Sequence, residues 1–220
     1  MRKTLILLAI LIIPSVFYLL IRTGKNQYKT LEYFGPKTPV TKTVDGKEVI
    51  DTLYHSVQGF SMLDTDSNRV TEKITEGKIV VADFIFTTCQ SICPKMSVQM
   101  MRVQHAFKDD PRVVILSFTV DPEHDTPSVL KAYGQKHNVI PGKWYFLTGE
   151  KDSIYHLARH SYFVTAMEGD GVVDDFVHSE QVVLVDQESH IRGFYDGTEL
   201  TEVNKLIEDI KVLRKFDQPE

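Results

Sequence analysis

The chain holds only two thiols, Cys89 and Cys93, separated by three residues in "FIFTTCQSICPKMS", residues 84–97. A thiolate is both a nucleophile and a metal ligand. The pair therefore fits three chemistries: a structural disulfide, a redox couple, or half of a metal site. A disulfide closing so short a loop removes little chain entropy and would be a weak staple. Two cysteines are also too few for a disulfide-built scaffold. Pro94 suits a first helical turn, where no N–H is needed. The spacing predicts Cys93 as the cap of a helix and Cys89 in the loop before it. Unpaired N–H groups and the helix dipole there favour thiolate over thiol.

Other side chains could join this chemistry. Asp83 lies six residues before Cys89 within an apolar run. It reads either as a buried proton acceptor or as a strand-end carboxylate reaching solvent. Asp121 and Asp125 follow "VVILSFTV". They read as a rim for partner docking or ligand support, or as turn formers, since Asp-Pro and Asp-Thr-Pro favour turns. Met96, Met100 and Met101 recur at helical spacing after the cysteines. Core packing explains them, with an extra sulfur ligand as the alternative.

The elements that must position these residues follow from periodicity. "TVDGKEV" carries an Asp-Gly hairpin signal, and "GFSMLDTDSNRVTEKI" a second hairpin turning at Asp66-Ser67-Asn68. "KIVVADFIF" and "RVVILSFTV" read as strands buried on both faces. Between them "PKMSVQMMRVQHAF" places Met96, Met100, Val103 and Phe107 on one helical face. "TPSVLKAYGQKH" is a helix with Thr126 as N-cap and Pro127 in its first turn. "KWYFLTG" is a strand and "DSIYHLARHS" a helix; "QVVLVD" and "IRGFYDG" form a hairpin. A closing helix sets Leu200, Val203, Ile207, Ile210 and Leu213 on one side. The order predicts an α/β domain, a thioredoxin-like mixed sheet with helices on both faces and an N-terminal β-hairpin extension.

Ahead of it, Arg2 and Lys3 precede an uncharged run, residues 4–21, with Tyr18 near its end. Its length of roughly 27 Å as a helix matches a bilayer core. The expected organisation is a transmembrane anchor over 1–22, a juxtamembrane segment over 23–55 and the thioredoxin-like domain over 56–220. Arg22, Lys25 and Lys29 weigh against export by the positive-inside count, whereas a short basic start before the first apolar run is the export pattern. The domain is expected outside the cytoplasm: periplasmic for a bacterium, in the intermembrane space for a mitochondrion. A net charge of −5 argues against a nucleic-acid surface.

Thioredoxins separate their cysteines by two residues, not three, and place a proline before the strand facing them. Here the segment before "QVVLV" has no proline but has His178. His105, His156 and His160 fall on helices and His190 in a turn; His178 falls where this fold brings a strand beside the cysteine loop. Two thiolates and an imidazole suit Cu(I), and also Cu(II) or zinc.

At this point the chain resembles the SCO/SenC proteins over residues 55–213. "FIFTTCQSICPKM", "SFTVDPEHDTPSVLKAY" and "VHSEQVVLVDQESHIRGFY" match the family's three blocks in order. The resemblance implies copper ligands at Cys89, Cys93 and His178. It implies copper, as Cu(I) and Cu(II), held outside the cytoplasm for the binuclear centre of cytochrome c oxidase subunit II. Reduction of that centre's cysteines is a further implied role, and a non-enzymatic chaperone the expected class. Val177 stands where the family usually has Asp, and His124 where it usually has Arg. A thiol-disulfide reductase of this or another exported client, or a redox or copper sensor, are the competing readings.

Overall fold

The computed structural model describes residues 12–15, 30–44, 46–164 and 179–216. The chain divides into two compact units, Met1–Thr30 and Leu31–Glu220. Of the first, residues 12–15 are helical; the rest of the expected anchor lies outside the described residues. Among the described residues no helix is long and apolar enough to cross a membrane.

In the second unit the Asp-Gly signal becomes an antiparallel ribbon of β1 (Lys37–Val44) and β2 (Lys47–Tyr54), with Gly46 at φ +75° in the turn. The next hairpin, β3 (Ser61–Leu63) and β4 (Arg69–Thr71), turns through Ser67 at φ +61°. The main sheet follows: β5 (Ile79–Ile85), β6 (Val113–Thr119), β7 (Trp144–Leu147), β8 (Gln181–Val185) and β9 (Ile191–Asp196). Its order is β7-β6-β5-β8-β9, with β5, β6 and β7 parallel and β8 and β9 antiparallel. Four helices cover it: α1 (Ile92–Ala106), α2 (Pro127–Lys136), α3 (Lys151–His156) and α4 (Leu200–Phe216). α3 runs on into a wide i→i+5 turn at Leu157–Ser161.

Side chains of a strand alternate between faces, so a strand covered on both sides is apolar over most of its length. β5 shows this. Ile79, Val81 and Ile85 pack with α1, α2 and α4 on one face. Val80, Ala82 and Phe84 pack with α3, its following turn and the β3–β4 hairpin on the other. Met96, Met100, Val103 and Phe107 are buried, in accord with their spacing.

Three local expectations change. α1 begins at Ile92 with Ser91 ahead of it, so Cys93 is the second helical residue and not the cap. Thr126 does precede α2 and Pro127 opens it, but the Thr126 side chain makes no capping bond. On α4 the buried apolar residues are Val203, Leu206, Ile210 and Leu213, while Leu200 is exposed. Leu200 is the first residue of its helix, before the apolar stripe meets the sheet.

Candidate metal centre

The cysteine loop is the crossover from β5 to α1. Cys89 lies in the loop and Cys93 in the first turn of α1, both buried and both free thiols. The Cys93 N–H points to Cys89 Sγ at 3.4 Å, and Ser91 Oγ lies 3.7 Å from the same sulfur. These two positions are therefore brought together as expected. Burial pushes the Cys89 thiol up, but the Cys93 and Ser91 N–H groups outweigh it and leave it below the ordinary thiol value. At Cys93 burial dominates, with the neighbouring Cys89 adding to it, and its thiol is pushed far up. Of the two sulfurs, Cys89 gives up its proton the more readily, and a bound cation would favour loss of the other.

Two buried carboxylates stand beneath this loop. Asp83 is 1% exposed, which excludes the solvent-reaching reading. Strand register sets Asp83 opposite Ser117, whose Oγ donates to it. Trp144 Nε1 donates in turn to Ser117 Oγ at 2.8 Å, so a polar chain crosses three adjacent strands on the cysteine side of the sheet. Burial, only partly offset by the Ser117 bond, raises the Asp83 carboxyl to about 7. Close by, Ser97 of α1 bonds Tyr133 of α2 at 2.8 Å, and burial lifts that phenol to about 12.

Asp125 is fully buried and accepts four bonds. Thr87 N–H (2.9 Å), Thr119 Oγ1 (2.6 Å), His124 Nδ1 (2.9 Å) and Thr87 Oγ1 all reach it. It ties the start of the cysteine loop to the end of β6. Asp121 supports it through its carbonyl, which accepts the Asp125 N–H at 2.8 Å. Asp121, His124 and Asp125 also form a cluster of metal-ligating types. The Asp125 oxygens are already filled with donors, and the Asp125 bond raises His124 above its usual value. The exposed-rim reading thus fails for Asp125.

His178, with Val177, Asp174 and Asp175, lies outside the described residues. The chain resumes at Ser179, and Glu180 O accepts the Gly197 N–H at 2.7 Å. A Cβ placed on Gly197 would meet Val182 Cγ2 at 2.7 Å, Glu180 O at 3.1 Å and Met96 Cε at 3.2 Å. Gly197 thus packs between the start of β8 and the tip of Met96 on α1.

Residues 51–215 match the SCO1/SenC family model. The chain belongs to the SCO1/SenC family. The SCO1 protein homolog of Bacillus subtilis is 33% identical over 168 residues, covering 76% of this chain and 86% of the relative. BsSco, a member of the Sco family of cytochrome c oxidase assembly proteins in which a disulfide switch was identified, superposes with a TM-score of 0.62 at 31% identity. That match covers 72% of this chain and 93% of BsSco. ScoI of Arabidopsis thaliana, solved with copper bound, gives 0.58 at 30% identity over 72% of this chain and 98% of its own. Copper is thus a ligand of homologous Sco structures, and the thioredoxin-like Sco fold is the fold of this domain.

Sequence reading missed Ser117, Trp144, Thr87, Thr119 and Gly197. One signal was available. "IVVADFI" and "VVILSFT" both carry a polar residue at the fifth place, Asp83 and Ser117, which in-register parallel pairing must juxtapose.

Proposed function

We propose that this chain is a membrane-anchored copper chaperone. It holds copper through Cys89, Cys93 and His178 and helps assemble the binuclear copper centre of cytochrome c oxidase subunit II, with its domain outside the cytoplasm. One observation carries the reading: two free cysteines folded side by side at the crossover from β5 to α1, the N–H of one on the sulfur of the other, in a chain whose relatives include Sco proteins solved with copper bound. Softness supports the metal, since two thiolates suit Cu(I) and an added imidazole extends the site to Cu(II). The Gly197 junction supports the third ligand, because Glu180 is held near α1 and His178 is two residues earlier in the chain.

The test is metal analysis of the reduced protein beside a His178→Ala variant. The chaperone reading expects one copper per chain and a sulfur-to-copper charge-transfer band with Cu(II). It expects the variant to weaken Cu(II) strongly and Cu(I) less. Preferential zinc uptake without that band defeats it.

A second reading, a thiol-disulfide reductase using the same pair, is favoured by the adjacency of the thiols and by the disulfide switch of BsSco. It does not need His178. Normal binding of both copper states by His178→Ala would favour it.

A further inference from the structure

The β1–β2 ribbon has a rigid root and a bare outer length. Tyr54 stacks on Tyr33 with ring centroids 4.1 Å apart, Arg192 lies over the Tyr33 ring, and the His55 N–H donates to Pro36 O. Beyond the root, seven of the eight β2 residues are exposed. Val49, Ile50 and Leu53 are 47%, 78% and 60% exposed. A two-stranded ribbon wet on both faces is marginal by itself, and an open apolar edge is a template for another strand.

The two edges differ. The two-residue Asp45-Gly46 connection makes Val44 and Lys47 the closing hydrogen-bonded pair. Alternation from there turns the backbone groups of Glu48, Ile50 and Thr52 outward on β2. On β1 the outward set includes Pro39, opposite Thr52, which removes an edge donor without breaking the ladder. β1 is therefore blocked, and β2, which has no proline, is open.

Charge selects what fits the open edge. Consider β2 paired antiparallel with β2 of a second copy, Val49 facing Val49. Glu48 and Ile50 then exchange backbone bonds, and Lys47 of each chain stands opposite Asp51 of the other. Sliding by one pair sets Glu48 on Glu48 or leaves Asp51 facing Val49; sliding further sets Asp51 on Asp51. Only the first register combines two opposite-charge pairs with no like-charge pair. Most of this surface precedes residue 51, where the family match begins.

We propose that β2 is a self-association edge, two copies joining through it into a four-stranded sheet with Lys47 of each chain opposite Asp51 of the other. The test uses the full chain in detergent micelles, with Cys89→Ala and Cys93→Ala removing the native thiols. Val49→Cys should form a disulfide-linked dimer on mild oxidation, because facing non-hydrogen-bonded residues lie within disulfide reach. Its yield should exceed that of Ile50→Cys about fivefold, fall on adding Lys47→Asp, and return when Asp51→Lys is added to that. A second measurement leaves the cysteines in place. Light scattering should show the mass rising toward twice the monomer with concentration, and Ile50→Pro should hold it at the monomer. Equal yields at positions 49 and 50, or a yield indifferent to Lys47→Asp, overturns the proposal. So does a monomer at all concentrations, including one whose β2 is shielded by lipid vesicles instead.

Discussion

Asp83 and Asp125 are both buried under the cysteine loop, yet they are furnished differently. Asp125 receives four donors from Thr87, Thr119 and His124. The Asp83 side chain receives the Ser117 hydroxyl and is held among apolar strands. A carboxylate surrounded by donors acts as a fixed joint. One with few donors is left near its titration point by desolvation, at about 7. The difference teaches that burial alone does not assign a role to an acidic residue; the number of donors does. On this contrast Asp125 positions the loop, and Asp83 is the group able to exchange a proton beside it.

The largest effect that would break the contrast belongs to Asp125→Ala. It leaves buried donors of β6 and the cysteine loop unpaired, at a cost of about 4 kcal/mol. In a domain of this size that lowers the melting temperature by on the order of 10 °C, readable by calorimetry. A shift of only a degree or two would mean that water replaces the carboxylate and that the joint is not structural.

Asp83→Asn should act through pH. The folded carboxyl holds its proton to about 7, against 3.8 for the free group. Between those values the folded chain binds the extra proton, so stability falls as pH rises from about 4 to 7 and is then flat. The full span is at most roughly 4 kcal/mol. Urea titrations at several pH values should show the wild type losing stability relative to Asp83→Asn across that window. Parallel curves would return Asp83 to a fixed charge state. The same variant should slow thiol exchange if Asp83 accepts the proton.

Thr119→Val sharpens the comparison from the other side. It removes one of the four Asp125 donors and should cost about 1–2 kcal/mol, well short of the alanine variant. A loss as large as that of Asp125→Ala would mean the joint rests on one bond. Ser117→Ala is the smallest. It unpairs the buried Trp144 Nε1–H and should cost about 1 kcal/mol at pH 5, while moving the Asp83 titration upward, as nuclear magnetic resonance of the carboxyl would show.

The parts of this site that were legible in the sequence are those set by nearby residues. Asp-Gly, apolar runs of strand length and the Met96–Met100–Val103–Phe107 spacing all describe neighbours in the chain, and the two hairpins, β5, β6 and α1 follow from them. Asp125 was read as a docking or ligand-support rim or as a turn former, and its tie to the cysteine loop was missed because its partner Thr87 is 38 residues away. Trp144 and Ser117 meet through strand order, which periodicity does not carry. The misplaced helix start is a matter of one turn: Pro94 is tolerated at the first or third helical position alike, so it marks the turn and not its first residue.

Gly197 has no side chain to contribute, and its effect lies in what it leaves out. With a hydrogen in place of a methyl, the chain at the end of β9 lies flush against Val182, Glu180 and the tip of Met96. A residue of the cysteine helix and two at the start of the strand that follows His178 all border the space a methyl there would fill. A methyl group there would act as a shim. Gly197→Ala would press on Val182 and the Glu180 carbonyl, which must give by a few tenths of an ångström, while removing none of the proposed ligating atoms. Metal geometry is sensitive at that scale, so an optical spectrum of the copper-loaded variant would serve as a gauge of that shift.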